Sequence, residues 1–286
     1  MIFFLTLAVG SVLILIRSYM YVRSSIVWFG WLAIAGLAYL FELFIFVVGH
    51  SYAYNPGVLP EPFYDSTLGA ISSQGFAVPI AAVATGVFQL NWKWMVGIIA
   101  FFFGIEVLFL RLDLYEHRWW ETWMTSISLF VAFPFCKWWM RKLCSSPSVW
   151  LQFISIYLFQ VSIHTTSMFF LMAVFHLFTF CPGWFSDPSR DAVALMASYS
   201  AVVLLAYTYL IYKRLVTFTI LIVQAVGWVL IEFVLIWGDV LTYASPLVAI
   251  GSFILHVSFL FVMWTLFRDG LQGWNFYLGN KKEAPD

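Results

Sequence analysis

The chain has 286 residues, 63% of them hydrophobic and only 10% charged. A soluble domain carries about 25% charged residues, so a water-exposed globular fold is excluded and a bilayer is the implied solvent. Net charge is zero, which gives no case for a nucleic-acid partner, and Cys136, Cys144 and Cys181 form no CxxC pair, so neither a disulfide framework nor a metal is expected.

A helix that crosses the hydrocarbon layer needs about 20 mostly apolar residues. Nine such stretches are predicted, at residues 2–21, 25–49, 67–90, 94–112, 123–140, 149–178, 192–212, 215–240 and 246–267. The first lacks a basic leader and a small-residue cleavage site, so it is expected to stay as a short helix rather than act as a signal peptide. Strand alternation is absent, and backbone amides in lipid need internal partners, so the expected class is all-α: one polytopic transmembrane bundle over residues 1–286. The third helix carries small residues four apart, Ala77 with Ala81 and Ala82 with Gly86, and is expected inside the bundle. Pro79 and Pro134 fall within helices and are candidate kinks. The loops near 50–66 and 180–191 are rich in proline and glycine, which argues against regular structure there. From Gly279 the chain is polar, and 279–286 is expected to be a flexible cytoplasmic tail.

Orientation follows from the basic residues. With the N-terminus outside, the inner segments hold Arg17, Arg23, Lys93, Lys137, Arg141, Lys142, Lys213, Arg214, Arg268, Lys281 and Lys282, and the outer ones hold only Arg111, Arg118 and Arg190. Cytoplasmic loops are the cation-rich ones, so N-out, C-in is the expected topology.

Three acids interrupt the apolar spans: Glu42, Glu106 and Glu232. A charge at the bilayer centre costs at least about 2.5–3.5 kcal/mol, so such groups face a bundle interior or a wet cavity. Each lies near the outer end of an outward-running helix. Each is followed about two turns on by a polar group: His50, Asp113 and Asp239. A seven-residue step puts Glu106 and Asp113 on one helix face, and likewise Glu232 and Asp239. Tyr54, Tyr115 and Tyr243 come shortly after. The acids are 64 and 126 residues apart, near one and two steps of 63, a length that holds two helices. Either the chain is built from two-helix repeats, or it is a row of hairpins with similar loops. His164 and His256 fall near mid-membrane, as proton relays or as interhelical hydrogen-bond partners. The candidate ligand or ion-binding set is therefore Glu42, Glu106, Glu232, Asp113, Asp239, His50, His164 and His256.

The run Phe103-Gly104-Ile105-Glu106, continuing through Arg111-Leu112-Asp113-Leu114-Tyr115-Glu116-His117-Arg118-Trp119-Trp120 to Trp123 and Phe133-Pro134, resembles a family of uncharacterised polytopic membrane proteins from bacilli and clostridia. The resemblance covers roughly residues 25–143. It implies a multi-pass protein of a bacterial cell membrane and assigns no catalytic residue. This chain is longer than those proteins, and Gly49-His50 stands where they tend to show Gly-Asp.

Three function classes fit. The carboxylates can bind or translocate a small cation, a proton or a lipid. They can be satisfied by neighbouring helices in a structural or assembly protein with no ligand. They can act as general acids of an intramembrane enzyme on a lipid or isoprenoid. Aspartate-rich prenyl-diphosphate motifs, a phosphate-cradling glycine loop and hydrolase signatures are all absent, so no cofactor is expected. Oligomeric state and cargo are not written in the sequence.

Overall fold

A computed structural model describes residues 1–145 and 147–268. The expected tail at 279–286, with Lys281 and Lys282, lies outside the described residues. Among those described there are nine helices and four short strands, in the order α1 (Ile2–Val22), α2 (Ile26–Val48), β1 (Tyr52–Tyr54), α3 (Pro62–Val87), α4 (Trp92–Arg111), β2 (Tyr115–His117), α5 (Thr122–Ser145), α6 (Val149–Val174), β3 (Phe178–Phe180), α7 (Pro188–Tyr212), α8 (Phe218–Trp237), β4 (Leu241–Tyr243) and α9 (Pro246–Phe267). Eight of the helices are long and apolar enough to cross a membrane, so the chain is an all-α multi-pass membrane protein. The exception is α5, whose last two turns carry Lys137, Arg141 and Lys142. The described chain forms two compact units, residues 1–162 and 163–268, with the division inside α6.

The loops expected to be irregular hold strands. These begin at residues 52, 115, 178 and 241, a constant step of 63. Each is preceded by a residue in the left-handed region, His50, Asp113, His176 or Asp239, at the same step and with φ between 49° and 54°. That turn ends the outgoing helix and swings the chain into the strand. In unit 1, β1 pairs antiparallel with β2, Tyr52 opposite His117 and Tyr54 opposite Tyr115. In unit 2, β3 pairs with β4 in the same register, Phe178 opposite Tyr243 and Phe180 opposite Leu241. Each pairing is self-complementary, because the residue opposite Tyr52 is the counterpart, one step on, of Tyr54.

The loop geometry repeats at twice that step. In unit 1 the Asp65 carboxylate accepts from the amides of Gly57, Val58 and Leu59 at 2.7–2.9 Å. In unit 2 Asp191, 126 residues later, accepts from Gly183, Trp184 and Phe185 at 2.7–3.0 Å. Gly57 and Gly183 adopt φ of 69° and 76°, a conformation that a side chain would strain. The acid spacing of 64 rather than 63 also has a local cause. The last turns of α2, Leu43–Val48, are π-helical, as are Phe170–Val174 at the end of α6. A π turn accommodates one extra residue. Glu42 therefore sits one position further from its strand than Glu106 does.

In unit 1, α3 is the most buried of the eight spans, as its small residues imply. A Cβ at Gly86 would fall 2.8 Å from Met140 Cβ on α5, and one at Gly36 would fall 1.9 Å from the Leu158 carbonyl oxygen, so both helix pairs touch at backbone distance. Pro79 cannot donate to the carbonyl four residues earlier. That carbonyl, on Gly75, instead accepts the Trp31 indole N–H at 2.7 Å, beside a π-helical stretch at Ile71–Ala77. Lys137 donates to the Leu90 carbonyl and Arg141 to Gln89, at the end of unit 1 away from the strands.

Asp65→Ala is expected to cost about 2–3 kcal/mol, because three amides lose a charged acceptor, and Asp65→Asn less. Thermal unfolding in detergent reads this; an unchanged Tm for Asp65→Ala would contradict the role given to the loop.

Candidate functional site

Unit 1 holds a cavity of about 320 Å³. Its walls come from α1 to α5 and both strands. Five helices leave a gap where α3 presents the small Ser73 and Ala82 beside Val78 and Gln74. Along α5 the lining runs from Thr125 to Cys136, eleven steps of about 1.5 Å, so the cavity extends roughly 16 Å down the helix from the strand end. Most of it is aliphatic and aromatic, with Phe4, Leu7, Ile34, Leu37, Phe102 and Phe133 among the lining.

The polar groups gather toward the strands. Glu42 is buried, and its Oε2 accepts a hydrogen bond from the Tyr52 hydroxyl. Its Oε1 is covered by protein and has no hydrogen-bond partner among the described residues. Burial first, and the neighbouring Glu42 carboxylate second, hold the Tyr52 phenol well above its ordinary pKa, so Tyr52 remains the donor. Because side chains alternate along a strand, Tyr52 and Tyr54 emerge on the same face. The register adds Tyr115, whose ring lies 5.3 Å from that of Tyr52 and 4.9 Å from that of Tyr54. Trp120 completes the group, 6.4 Å from Tyr52. Glu106 also lines the cavity, and its Oε1 accepts from His117 Nε2 at 2.9 Å. Among the described residues, no Lys, Arg or His lines the cavity.

Unit 2 holds the counterpart at an offset of 126, nearly closed. A cavity of about 10 Å³, room for about one water, is lined by Met168, Phe178, Phe180, Tyr199, Trp228, Glu232, Leu241 and His256, among others. Met168 stands where unit 1 has Glu42, and Phe178 and Phe180 where it has Tyr52 and Tyr54. The acid and its phenolic partner are thus replaced together. Tyr199 stands where unit 1 has Ser73, and Trp228 where it has Phe102. Their rings meet at 5.1 Å, and Trp228 lies 4.2 Å from the His256 ring, which closes the space. Glu232 survives, accepting from the Ser252 hydroxyl at 3.1 Å.

The structure therefore divides the candidate residues. Glu42 and Glu106 share one cavity. Glu232 and His256 line the closed counterpart, with His256 Nδ1–H donating to the Ser252 carbonyl at 2.8 Å. His164 is buried in unit 2, its Nδ1 3.0 Å from the Ser200 hydroxyl and its ring 5.7 Å from that of His256. The expected shared face of Glu106 with Asp113, and of Glu232 with Asp239, does not form. The helices end at Arg111 and Trp237, and both aspartates sit exposed in the left-handed turns. His50 occupies the equivalent turn, 2.8 Å from an Arg118 guanidinium nitrogen, and does not line the cavity. Sequence reasoning missed Tyr52, Ser73, Gln74 and Trp120. The spacing of Tyr52 ten residues after Glu42 was the available signal for the first.

Comparison with protein-family models, with curated proteins and with solved structures returns no match.

Tyr52→Phe is expected to leave the Glu42 carboxyl without a donor and to cost about 1–3 kcal/mol. Adding Glu42→Met, which reproduces Met168 and Phe178 of unit 2, removes both partners and is expected to restore wild-type thermal stability. A double variant no more stable than Tyr52→Phe would contradict the pairing.

Proposed function

We propose that unit 1 is a binding site for a lipid-like amphiphile, with the acidic group at the strand end meeting the head and the apolar walls taking the chain. The observation that carries this is a long, mostly apolar cavity of about 320 Å³ with the carboxyl-bearing residues Glu42 and Glu106 among its lining. Buried polar atoms are satisfied in almost all native proteins, and the Glu42 carboxyl, with one oxygen covered and unmet among the described residues, is an exception beside this cavity. The volume is of ligand-pocket size, whereas a bare cation or a proton needs far less room. Packing alone leaves few voids larger than a water molecule, which counts against a purely structural role. Translocation along a file of acids has less support, because Glu232 belongs to the nearly closed pocket of the other unit.

One observation favours a second reading, an intramembrane enzyme acting on an isoprenoid or lipid chain. The two carboxyls open onto aromatic rings, whose faces stabilise a developing positive charge, and a carboxyl in such surroundings can serve as a general acid. Recovery of a ligand chemically altered relative to the membrane pool would favour that reading; recovery of an unaltered one favours binding.

The test is Ser73→Tyr, which copies the closed unit and fills the cavity from α3. Native mass spectrometry of the protein released from membranes should show a bound amphiphile on the wild type. Ser73→Tyr should lack it while its Tm stays within a few degrees. Retention of the same adduct by a folded Ser73→Tyr variant would contradict the proposal.

A further inference from the structure

Resting on that reading, we infer that the head of the amphiphile is a cation, an ammonium or quaternary ammonium group carried on the apolar chain. Among the described residues two carboxyls line the cavity, and no basic side chain does. Glu106 already receives His117 on one oxygen. Glu42 receives only a neutral phenol, and its second oxygen faces no donor. The nearby guanidinium groups do not serve it: Arg111 and Arg118 are exposed, and Arg118 lies against His50. An anionic head would meet two carboxyls with no basic lining residue to offset it among the described residues. A neutral hydroxyl head would satisfy one oxygen and bring no counter-charge.

The aromatic rings point the same way. Tyr52, Tyr54, Tyr115 and Trp120 all line the carboxyl-bearing end, with neighbouring ring centroids 4.9–6.4 Å apart. Clustered ring faces attract ammonium groups, most strongly for quaternary ammonium, which offers no N–H and is weakly hydrated. Carboxylates beside such rings supply the counter-charge. In unit 2 the equivalents of Glu42, Tyr52, Tyr54 and Tyr115 are Met168, Phe178, Phe180 and Leu241, so the acid, the hydroxyls and one ring are lost together with the space. That joint loss is what a single recognition task for the group would produce.

The experiment is competition binding to the full chain in maltoside micelles, using three probes of one chain length: decyltrimethylammonium, decanol and decanoate. The ammonium probe is expected to bind at least about tenfold more tightly than decanol, and decanoate more weakly still. Glu42→Gln should abolish that preference. The Glu42→Met/Tyr52→Phe variant, which leaves no buried polar atom unpaired at this pair, should do the same if Glu42→Gln does not fold. Equal or tighter binding of decanol or decanoate by the wild type would overturn the cationic head while leaving a lipid-like ligand standing. Binding of none of the three, or binding undiminished in folded Ser73→Tyr, would overturn the cavity reading and this inference with it.

Discussion

A carboxyl among lipid-embedded helices is tolerable only where hydrogen-bond donors reach it, and in unit 1 that requirement ties the site to the fold. Glu42 is met by the hydroxyl of Tyr52. Tyr52 is held in β1, β1 is held in register by β2, and both strands exist because left-handed turns at His50 and Asp113 end their helices at the same point. The register that completes the backbone hydrogen bonds also delivers Tyr54 and Tyr115 to the same space. Loss of the Tyr52 hydroxyl would therefore be felt as stability, whereas filling the space beside it would be felt as ligand binding.

The two units separate the frame from its contents. Strand register, left-handed turns and the aspartate that gathers three loop amides recur 126 residues apart, with distances matching to about 0.1 Å. The interior does not recur. A frame that survives Met for Glu, Phe for Tyr and Tyr for Ser does not need the polar cluster for folding. The polar cluster of unit 1 is thus better understood through what it can hold than through what it stabilises.

Much of this was legible in the sequence, and the gaps have physical causes. Apolar length located the eight helices able to cross hydrocarbon, because its thickness sets a hard minimum, and α5, expected as a ninth span, is a helix whose charged end keeps it out of that class. The depth of Glu42 and Glu106 was legible for the same reason. The step of 63 was visible in the acids, but only approximately, because a π turn adds one residue at the end of α2 and periodicity cannot reveal it. Asp113 and Asp239 were misplaced because a seven-residue step keeps one face only while the helix continues, and a left-handed residue ends it first. Three-residue strands are too short to show alternation. Ser73 and Gln74 gave no signal, since a cavity arises from five helices together and no single one of them encodes it.

In a native membrane the space beside Glu42 is expected to be occupied. The most direct measurement is an electron cryomicroscopy map of the protein extracted with its own lipids into nanodiscs. Elongated density is expected to run from the carboxyl-bearing end at Glu42 between α3 and α5 toward Cys136, with a filled, ligand-free interior at Met168 in unit 2. Side chains of unit 1 closed over Glu42, with its second carboxyl oxygen bonded to a protein donor and no density beside it, would contradict that expectation.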